Sequence, residues 1–160
     1  MPDYELKQAL SEFGEGSYNK IITTGGSLPR GYYLAKYKTF AELSAATLKA
    51  LGLEKEKLIA VPAPDVIKDR TYASAITFRQ WLSKSNLNVQ SINLYTFDVH
   101  TRRSWLTFKK ILAPKIKTGA IAAKTQDYQP DKWWVSSEGV RSVISEVIAY
   151  IYMRFINLRA

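Results

Sequence analysis

Apolar residues along the chain follow two alternating patterns, one typical of helices and one typical of short buried strands. Helical spacing predicts helices over residues 3–14, 39–51, from 69 or 71 to about 83, 101–112, and from 136 or 137 to about 155. Short runs of branched and aromatic residues predict strands over residues 20–24, 57–61, 91–97 and 119–123. Glycine or proline follows most of these segments, as expected where an element ends.

The order of these elements predicts an α/β fold. Short strands separated by single helices are typical of a parallel sheet with helices on both faces, because a parallel crossover needs a long connection. We therefore expect a three-layer sandwich around a mainly parallel sheet of about four strands. No linker, repeat or low-complexity segment divides the chain, and its 160 residues suit a single domain over residues 1–160.

The composition argues against several kinds of site. The chain has no cysteine, which excludes disulfides, cysteine nucleophiles and cysteine-based metal sites. Its one histidine argues against zinc or di-iron binding, so we predict no metal site. No run approaches 18 apolar residues, and the N-terminal residues do not resemble a signal peptide. We expect a cytoplasmic protein without a transmembrane segment, while membrane attachment through a segment that precedes residue 1 stays open.

Positive charge is concentrated in one part of the chain. The net charge is +9, and seven basic residues without a single acid fall between residues 99 and 126, namely Arg102, Arg103, Lys109, Lys110, Lys115, Lys117 and Lys124. Two interpretations are open: a solvated basic face, or a surface whose field attracts a phosphate-bearing ligand or an anionic partner. Nucleic acid is not a favoured partner, because no helix-turn-helix, zinc-finger or RNP-type motif accompanies the charge.

The strongest candidate site lies where the predicted strand 91–97 ends. His100 follows this strand, and Arg102 and Arg103 come directly after it, before a helix. In open α/β sheets, ligands bind at the carboxyl ends of the strands, so a titratable ring beside guanidinium groups indicates a ligand site. We expect His100 to act as an acid, a base or a polar anchor, and one arginine to face solvent. The alternative is a structural histidine.

Two other strand ends carry groups that could bind an anion. Gly25, Gly26 and Ser27 follow the first predicted strand, where glycines allow close backbone approach and turn amides can bind an anion; a plain turn is the alternative. Arg70 and Thr71 begin the helix after the second strand, where its positive end could hold a phosphate or carboxylate. Alternatively, Thr71 is an N-cap whose hydroxyl binds backbone amides.

A tryptophan pair, Trp133 and Trp134, lies just before the last helix. We expect one of the two rings to pack against the sheet edge. The role of the other stays open between packing and a stacking wall for a base or sugar.

Several motifs follow one another in a fixed order. They are Ile21-Ile-Thr-Thr-Gly-Gly, a helix that ends at Leu51-Gly52, Arg70-Thr-Tyr-Ala-Ser-Ala, His100-Thr-Arg-Arg-Ser, Trp133-Trp134 and a terminal helix with Glu146. In this order and spacing, over roughly residues 5–155, the chain resembles the SanA/YdcF/ElyC-like family of bacteria, a domain of unknown function. The resemblance implies a Rossmann-like fold.

The resemblance also implies a ligand pocket. That pocket is formed by the Gly-Gly turn, the helix start and the His-x-x-Arg loop, and the matching positions are Gly25, Gly26, Thr71, His100 and Arg103. Members of the family are linked to cell-envelope biogenesis and to polysaccharide or lipid-carrier metabolism. One member binds S-adenosylmethionine, which is therefore a candidate cofactor, and no general reaction is established for the family.

The chain departs from the family pattern at its start. The opening strand and its glycine-rich turn would precede residue 3, Arg70 replaces an asparagine, Glu42 is displaced from the family's glutamate position, and the membrane anchor of many members is missing. In the family, the opening strand lies between the equivalents of strands 20–24 and 91–97, so we expect an open sheet edge. Three outcomes are open: an upstream segment supplies the strand, a partner chain such as a second copy covers the edge, or the two strands pair directly.

Two functions of different classes follow from these observations. The first is an enzyme or binding domain for an anionic small molecule, phosphorylated, nucleotide-like or an envelope precursor, and we expect Arg103 to neutralise the negative charge of this ligand. The second is a non-catalytic interaction or regulatory module that uses the basic face of residues 102–124. A further alternative is that the chain is a truncated, inactive member of the family.

Overall fold

A computed structural model describes residues 2–29 and 36–155 of the chain. Within these residues the elements, in chain order, are α1 (Asp3–Glu15), β1 (Ile21–Gly25), α2 (Phe40–Ala50), β2 (Leu58–Pro62), α3 (Arg70–Lys84), β3 (Ser91–Phe97), α4 (Thr101–Leu112), β4 (Lys117–Ala123) and α5 (Ser137–Phe155). Short 3-10 helices cover Lys55–Lys57, Asp98–His100 and Pro130–Val135. The predicted α/β alternation is confirmed, and the parallel pairing of strands is confirmed with it.

Local sequence signals explain why α2 begins and ends where it does. The Oγ1 atom of Thr39 accepts a hydrogen bond from the Glu42 amide at 3.2 Å, and the Glu42 carboxylate accepts one from the Thr39 amide at 3.0 Å. This reciprocal capping box satisfies two amides that a helix start leaves unpaired. At the other end, Gly52 has a φ of 101°, and the Leu53 amide donates to the Leu48 carbonyl at 3.0 Å. That arrangement is a Schellman motif, which favours glycine.

The four strands form two separate two-stranded sheets rather than the single four-stranded sheet that we predicted. β1 pairs with β2 and β3 pairs with β4, each pair in parallel. Each pairing closes a strand–helix–strand unit, through α2 in the first case and α4 in the second. No ladder among the described residues joins β1 to β3, so the direct pairing that was one of our three alternatives is not found. The two sheets are held together by helices instead.

Helices α3 and α4 join the two sheets from one face. Ala75 and Phe78 of α3 form a buried cluster with Phe108, Ile111 and Leu112 of α4. Side chains from both sheets pack against this cluster, namely Ile22 of β1 and Ile92 and Leu94 of β3. Burial of such side chains stabilises the fold by roughly 1.5–3 kcal/mol each. One apolar core therefore serves both sheets.

Helix α1 joins the sheets from the other face. Leu6 is buried against Leu48 of α2 and Leu53, with Ile21 of β1 at the edge of the same cluster. The side-chain amide of Gln8 donates to the Lys124 carbonyl at 3.0 Å and accepts from the Lys124 amide at 2.8 Å, at the end of β4. Helix α1 thus contacts both two-stranded sheets. This explains why the chain can place a helix before its first strand.

Helix α5 lies at the periphery and buries one side only. Gly139 and Glu146 are its buried residues, while most of its aliphatic side chains are exposed. Within the part of the chain that the structure describes, no helix is both long and apolar enough to cross a lipid bilayer.

The edges of β1 and β3 that are turned away from β2 and β4 leave backbone groups without strand partners in the described part of the chain. The Gly25 carbonyl accepts from the Ala63 amide at 3.0 Å, and the Gln90 carbonyl accepts from the Lys117 amide at 2.9 Å. The direction of the backbone N–H and C=O groups alternates along a strand. In every second residue of β1 and β3 these groups therefore point away from the paired strand. These outward amides belong to Ile22, Thr24, Asn93 and Tyr95.

Hydrogen exchange followed by NMR tests this arrangement. The amides of Ile22 and Tyr95 should exchange about tenfold or more faster than those of their neighbours Thr23 and Leu94, because only the latter take part in a ladder. Equal protection of all four amides would contradict the open edges, since it would require a further strand between β1 and β3.

Candidate functional site

The end of β3 sets the position of the histidine. After Phe97 the chain makes a single turn of 3-10 helix over Asp98–His100 and continues into α4, so that His100 occupies the N-cap position of α4. Arg103 follows three residues later, and residues at this spacing lie on the same side of a helix. The His-x-x-Arg spacing therefore places an imidazole and a guanidinium group side by side, at the carboxyl edge of the sheet formed by β3 and β4.

A buried glutamate from α5 completes this cluster. Glu146 is only 5% exposed, and its Oε2 atom contacts Nδ1 of His100. Its Oε1 atom accepts from Nε of Arg103 at 2.5 Å, and Oε2 accepts from Nη2 of Arg103 at 3.1 Å. Two parallel hydrogen bonds between a guanidinium group and a carboxylate form the geometrically specific type of ion pair. One carboxylate thus fixes both candidate site residues.

The contacts of Glu146 assign the tautomer of His100. A carboxylate only accepts hydrogen bonds, so Nδ1 must carry the proton that points toward Glu146. Nη2 of Arg103 also lies 3.1 Å from Nδ1, but it cannot donate to a protonated nitrogen and therefore donates to Oε2 of Glu146. The other ring nitrogen, Nε2, makes no hydrogen bond within the described residues, and the side chain is 45% exposed. Nε2 is free to meet a ligand.

Opposing effects act on the ionisation of Glu146. Burial raises the pKa of its carboxyl group, but the hydrogen bonds and positive charges of His100 and Arg103 outweigh burial and lower the pKa overall. Glu146 is therefore a carboxylate at neutral pH. The positive charge of Arg103 is consequently paired with a carboxylate of the protein. This differs from our expectation that Arg103 neutralises the charge of a ligand.

Thr71 connects the cluster to α3. It is the second residue of that helix, and its Oγ1 lies 3.5 Å from Nη1 of Arg103. The N-cap position belongs to Asp69, with a φ of 57° in the left-handed region that aspartate tolerates better than most residues. The alternative in which Thr71 caps the helix is therefore wrong. Its hydroxyl faces the arginine of the site.

The positive ends of two helices converge at this point. α3 begins at Arg70 and α4 at Thr101, and the Thr71–Arg103 contact shows that these starts are neighbours. Neither helix start has a side-chain capping hydrogen bond. The Thr101 amide donates to the Asp98 carbonyl of the preceding 3-10 turn, so the free amides whose partial positive charge favours a bound anion are those at the start of α3. Arg70 is exposed there, whereas Arg102 stacks on the Tyr150 ring, 5.3 Å from its centroid.

The Gly-Gly turn has a packing role in this structure. A Cβ atom on Gly25 would lie 2.9 Å from Cβ of Phe40, and one on Gly26 would lie 3.3 Å from the Pro64 carbonyl oxygen. The Gly26 carbonyl accepts from the Phe40 amide at 2.9 Å, and Ser27 forms a single antiparallel bridge with Thr39. No hydrogen bond or ion pair among the described residues links Gly25, Gly26, Ser27 or Arg70 to His100. The hydrogen-bonded cluster thus contains Thr71, His100 and Arg103. Arg70 lies exposed beside it at the start of α3, and Gly25, Gly26 and Ser27 make no bond to it.

The tryptophan pair lies in the 3-10 helix before α5. The two rings meet edge to face with centroids 6.0 Å apart, and Trp134 is 59% exposed while Trp133 is half-buried. The carbonyl of Trp133 packs so closely on Gly139 that a Cβ there would lie 2.2 Å from it. The backbone of Trp133 therefore packs at the start of α5, and the packing of one ring against the sheet edge stays a prediction.

Sequence reasoning did not assign roles to several polar residues near the site. Glu146 is the only acid between residues 139 and 155, and a single carboxylate in an apolar helix was the available signal. Tyr128 donates a short hydrogen bond to Asp98 in the turn before His100, and burial together with that bond raises the tyrosine pKa. Glu5 of α1 is fully buried, burial raises its pKa, and its charge also interacts with that of His100.

No protein-family model, curated protein or solved structure gives a significant match to this chain. The chemistry of the cluster must therefore be inferred from its geometry.

Replacing Glu146 by glutamine should lower the free energy of unfolding by about 2 kcal/mol at pH 7, because the substitution removes the charged hydrogen bonds that this buried carboxylate makes with His100 and Arg103. Urea titration measures the effect. A matched control exists on the same helix: Glu138 forms an exposed pair with Arg141 at 3.1 Å, and Glu138→Gln should cost at most about 0.5 kcal/mol. An equal loss of unfolding free energy in the two variants would contradict the role of Glu146 as a buried ion-pair partner.

The contribution of Glu146 should also depend on pH. Its pKa in the folded state lies below the ordinary value of 4.5. The stabilisation is therefore complete above about pH 5 and is lost as the pH falls through the folded-state pKa. The difference in the free energy of unfolding between wild type and Glu146→Gln should therefore be smaller in urea titrations at pH 3 than at pH 7. An unchanged difference would show that the carboxylate charge is not involved.

The assigned tautomer can be read directly, since His100 is the only histidine. Nitrogen-15 NMR of the neutral imidazole should show a protonated Nδ1 and an unprotonated Nε2. Glu146→Gln should weaken this preference. A wild-type imidazole protonated on Nε2 would overturn the assignment.

Proposed function

We propose that this chain is a Rossmann-like α/β domain that binds an anionic small molecule where the N-termini of α3 and α4 meet. The observation that supports the proposal is the Glu146–His100 pair, which occupies Nδ1 and leaves Nε2 of the α4 N-cap residue without a hydrogen bond among the described residues. A phosphorylated or nucleotide-like compound suits the site best. Phosphate oxygens can accept from the free amides at the start of α3, from an exposed Arg70 and from a protonated Nε2.

The role of His100 follows from its partner. A carboxylate on Nδ1 holds the ring in one orientation, while Nε2 can accept or donate a proton. This arrangement suits an acid–base group as well as a polar anchor. Arg103 acts by holding Glu146 and Thr71 in place, because its own charge is already paired.

The biological setting of the proposal comes from the family resemblance. The ordered motifs and the gathering of Thr71, His100 and Arg103 are compatible with the SanA/YdcF/ElyC-like pattern. On that basis we include envelope precursors among the candidate ligands, and S-adenosylmethionine among the candidate cofactors. A link to cell-envelope biogenesis is part of this proposal.

A second function is supported by the charge distribution. Lys109, Lys110, Lys115, Lys117 and Lys124 are exposed, and none of them forms an ion pair with an acid in the described part of the chain. Unpaired lysines attract an anionic partner at long range. A docking module would lose its partner when these lysines are changed to glutamine, whereas the small-molecule site would be unaffected.

Ligand binding can be followed at a single resonance. We would add inorganic phosphate, ATP, glucose 1-phosphate and S-adenosylmethionine in turn and record the ring signals of His100, with thermal shifts in parallel. At least one phosphorylated probe should move the Nε2-side resonance, and at 100-fold excess over its Kd it should stabilise the fold by about 2.7 kcal/mol.

Two charge-matched variants on α3 serve as a comparison. Arg70→Gln removes a charge at the site, and Lys84→Gln removes one at the far end of the same helix. Only the former should weaken binding, by about tenfold. Equal weakening by both would indicate a general charge effect. No response of His100 to any probe would contradict a phosphate site.

A further inference from the structure

The outer face of α5 presents a continuous apolar stripe. At 100° per residue, six aliphatic or aromatic side chains of this helix fall within an arc of about 100°. Each is between 38% and 63% exposed: Val140, Ile144, Val147, Ile148, Ile151 and Phe155. Arg141 and Arg154 flank the arc on its two sides. Glu146, which ties α5 to the candidate site, lies on the opposite side of the helix.

The area of the stripe is that of an interface rather than of scattered surface residues. Half-exposed side chains of this size leave on the order of 600 Å² uncovered, which is at the upper end of the roughly 300–600 Å² of the largest apolar patch on a typical monomer. Trp134 and Val135, which directly precede α5, are 59% and 67% exposed and add to this area. The sum approaches the roughly 800 Å² per partner of a standard protein interface.

The spacing of the stripe fits a second copy of the same helix. Val140, Ile144, Val147 and Ile151 recur at intervals of four, three and four residues, the spacing of helix–helix packing, and branched aliphatic residues are favoured there. The stripe is also symmetric about the point between Val147 and Ile148. In an antiparallel pair centred at that point, Val147 faces Ile148, Ile144 faces Ile151, and the small Val140 faces the large Phe155.

We propose that the chain forms a two-fold symmetric homodimer in which the α5 helices pack antiparallel through this stripe. A self-complementary patch is what a two-fold interface requires. A membrane surface fits less well, because membrane-surface helices carry many lysines or arginines opposite a Trp-, Phe- or Leu-rich face, and α5 has neither feature. This proposal is independent of the ligand site, which lies on the other side of α5.

Sedimentation equilibrium of the full chain between about 5 and 200 μM tests the dimer. The wild type should reach twice the 18.2 kDa mass of one chain. Ile148→Lys places two charges at the centre of the interface and should raise the dimer dissociation constant by about 100-fold or more. Leu43, a 38% exposed leucine of α2, offers a matched control, and Leu43→Lys should leave the dimer unchanged. Circular dichroism checks that each variant is folded.

A cross-link provides a test that does not depend on destabilising the interface. The chain has no cysteine, so Ile148→Cys introduces its only thiol, close to the two-fold axis. Mild oxidation or a short bifunctional reagent should link two copies of this variant, and should not link Leu43→Cys.

Three outcomes would overturn the proposal. The first is a wild-type monomer at 200 μM. The second is a dimer that survives Ile148→Lys and gives no cross-link, which would assign the contact to another face. The third is a monomer that floats with vesicles of phosphatidylcholine and 30% phosphatidylglycerol in a manner abolished by Ile148→Lys, which would assign the stripe to a lipid surface.

Discussion

The buried carboxylate of Glu146 is the interaction on which the candidate site depends. It comes from the last helix and pairs with two residues at the start of α4, so it attaches α5 to the body of the domain and orders the site at once. Placing a carboxylate at 5% exposure is unfavourable unless its charge is compensated. The fork of Arg103 and Nδ1 of His100 provide that compensation. Without Glu146, both side chains would lose the partner that fixes their orientation.

The second constraint is the way in which helices hold two small sheets side by side. A two-stranded sheet is only marginally stable by itself, because it buries too little apolar surface. Here α3 and α4 share one core beneath both sheets, and α1 contacts both from the opposite face. This packing brings the starts of α3 and α4 together, which is why Thr71 meets Arg103 although 32 residues separate them. The site is thus a consequence of helix packing.

Local features could be predicted from the sequence, and nonlocal ones could not. The bounds of β3 and α4 follow from apolar spacing and from the polar residues between them, and the structure reproduces both ranges. The separation of β1 from β3 depends on packing between distant helices, which apolar spacing does not encode. Glu146 carried only the weak signal of a lone acid in an apolar helix, since its partner lies 43 residues away. The charge of Arg103 was expected to face a ligand, because its buried counter-charge was not recognised.

We propose that Nε2 of His100 and the starts of α3 and α4 form one anion site. A crystal structure of the chain soaked in tungstate, a heavy phosphate analogue, tests it most directly. We expect an anomalous peak within hydrogen-bond distance of Nε2 and of the first amides of α3, with Nδ1 still on Glu146. A peak confined to the lysines at 109–117, or an imidazole turned so that Nε2 meets Glu146, would contradict it.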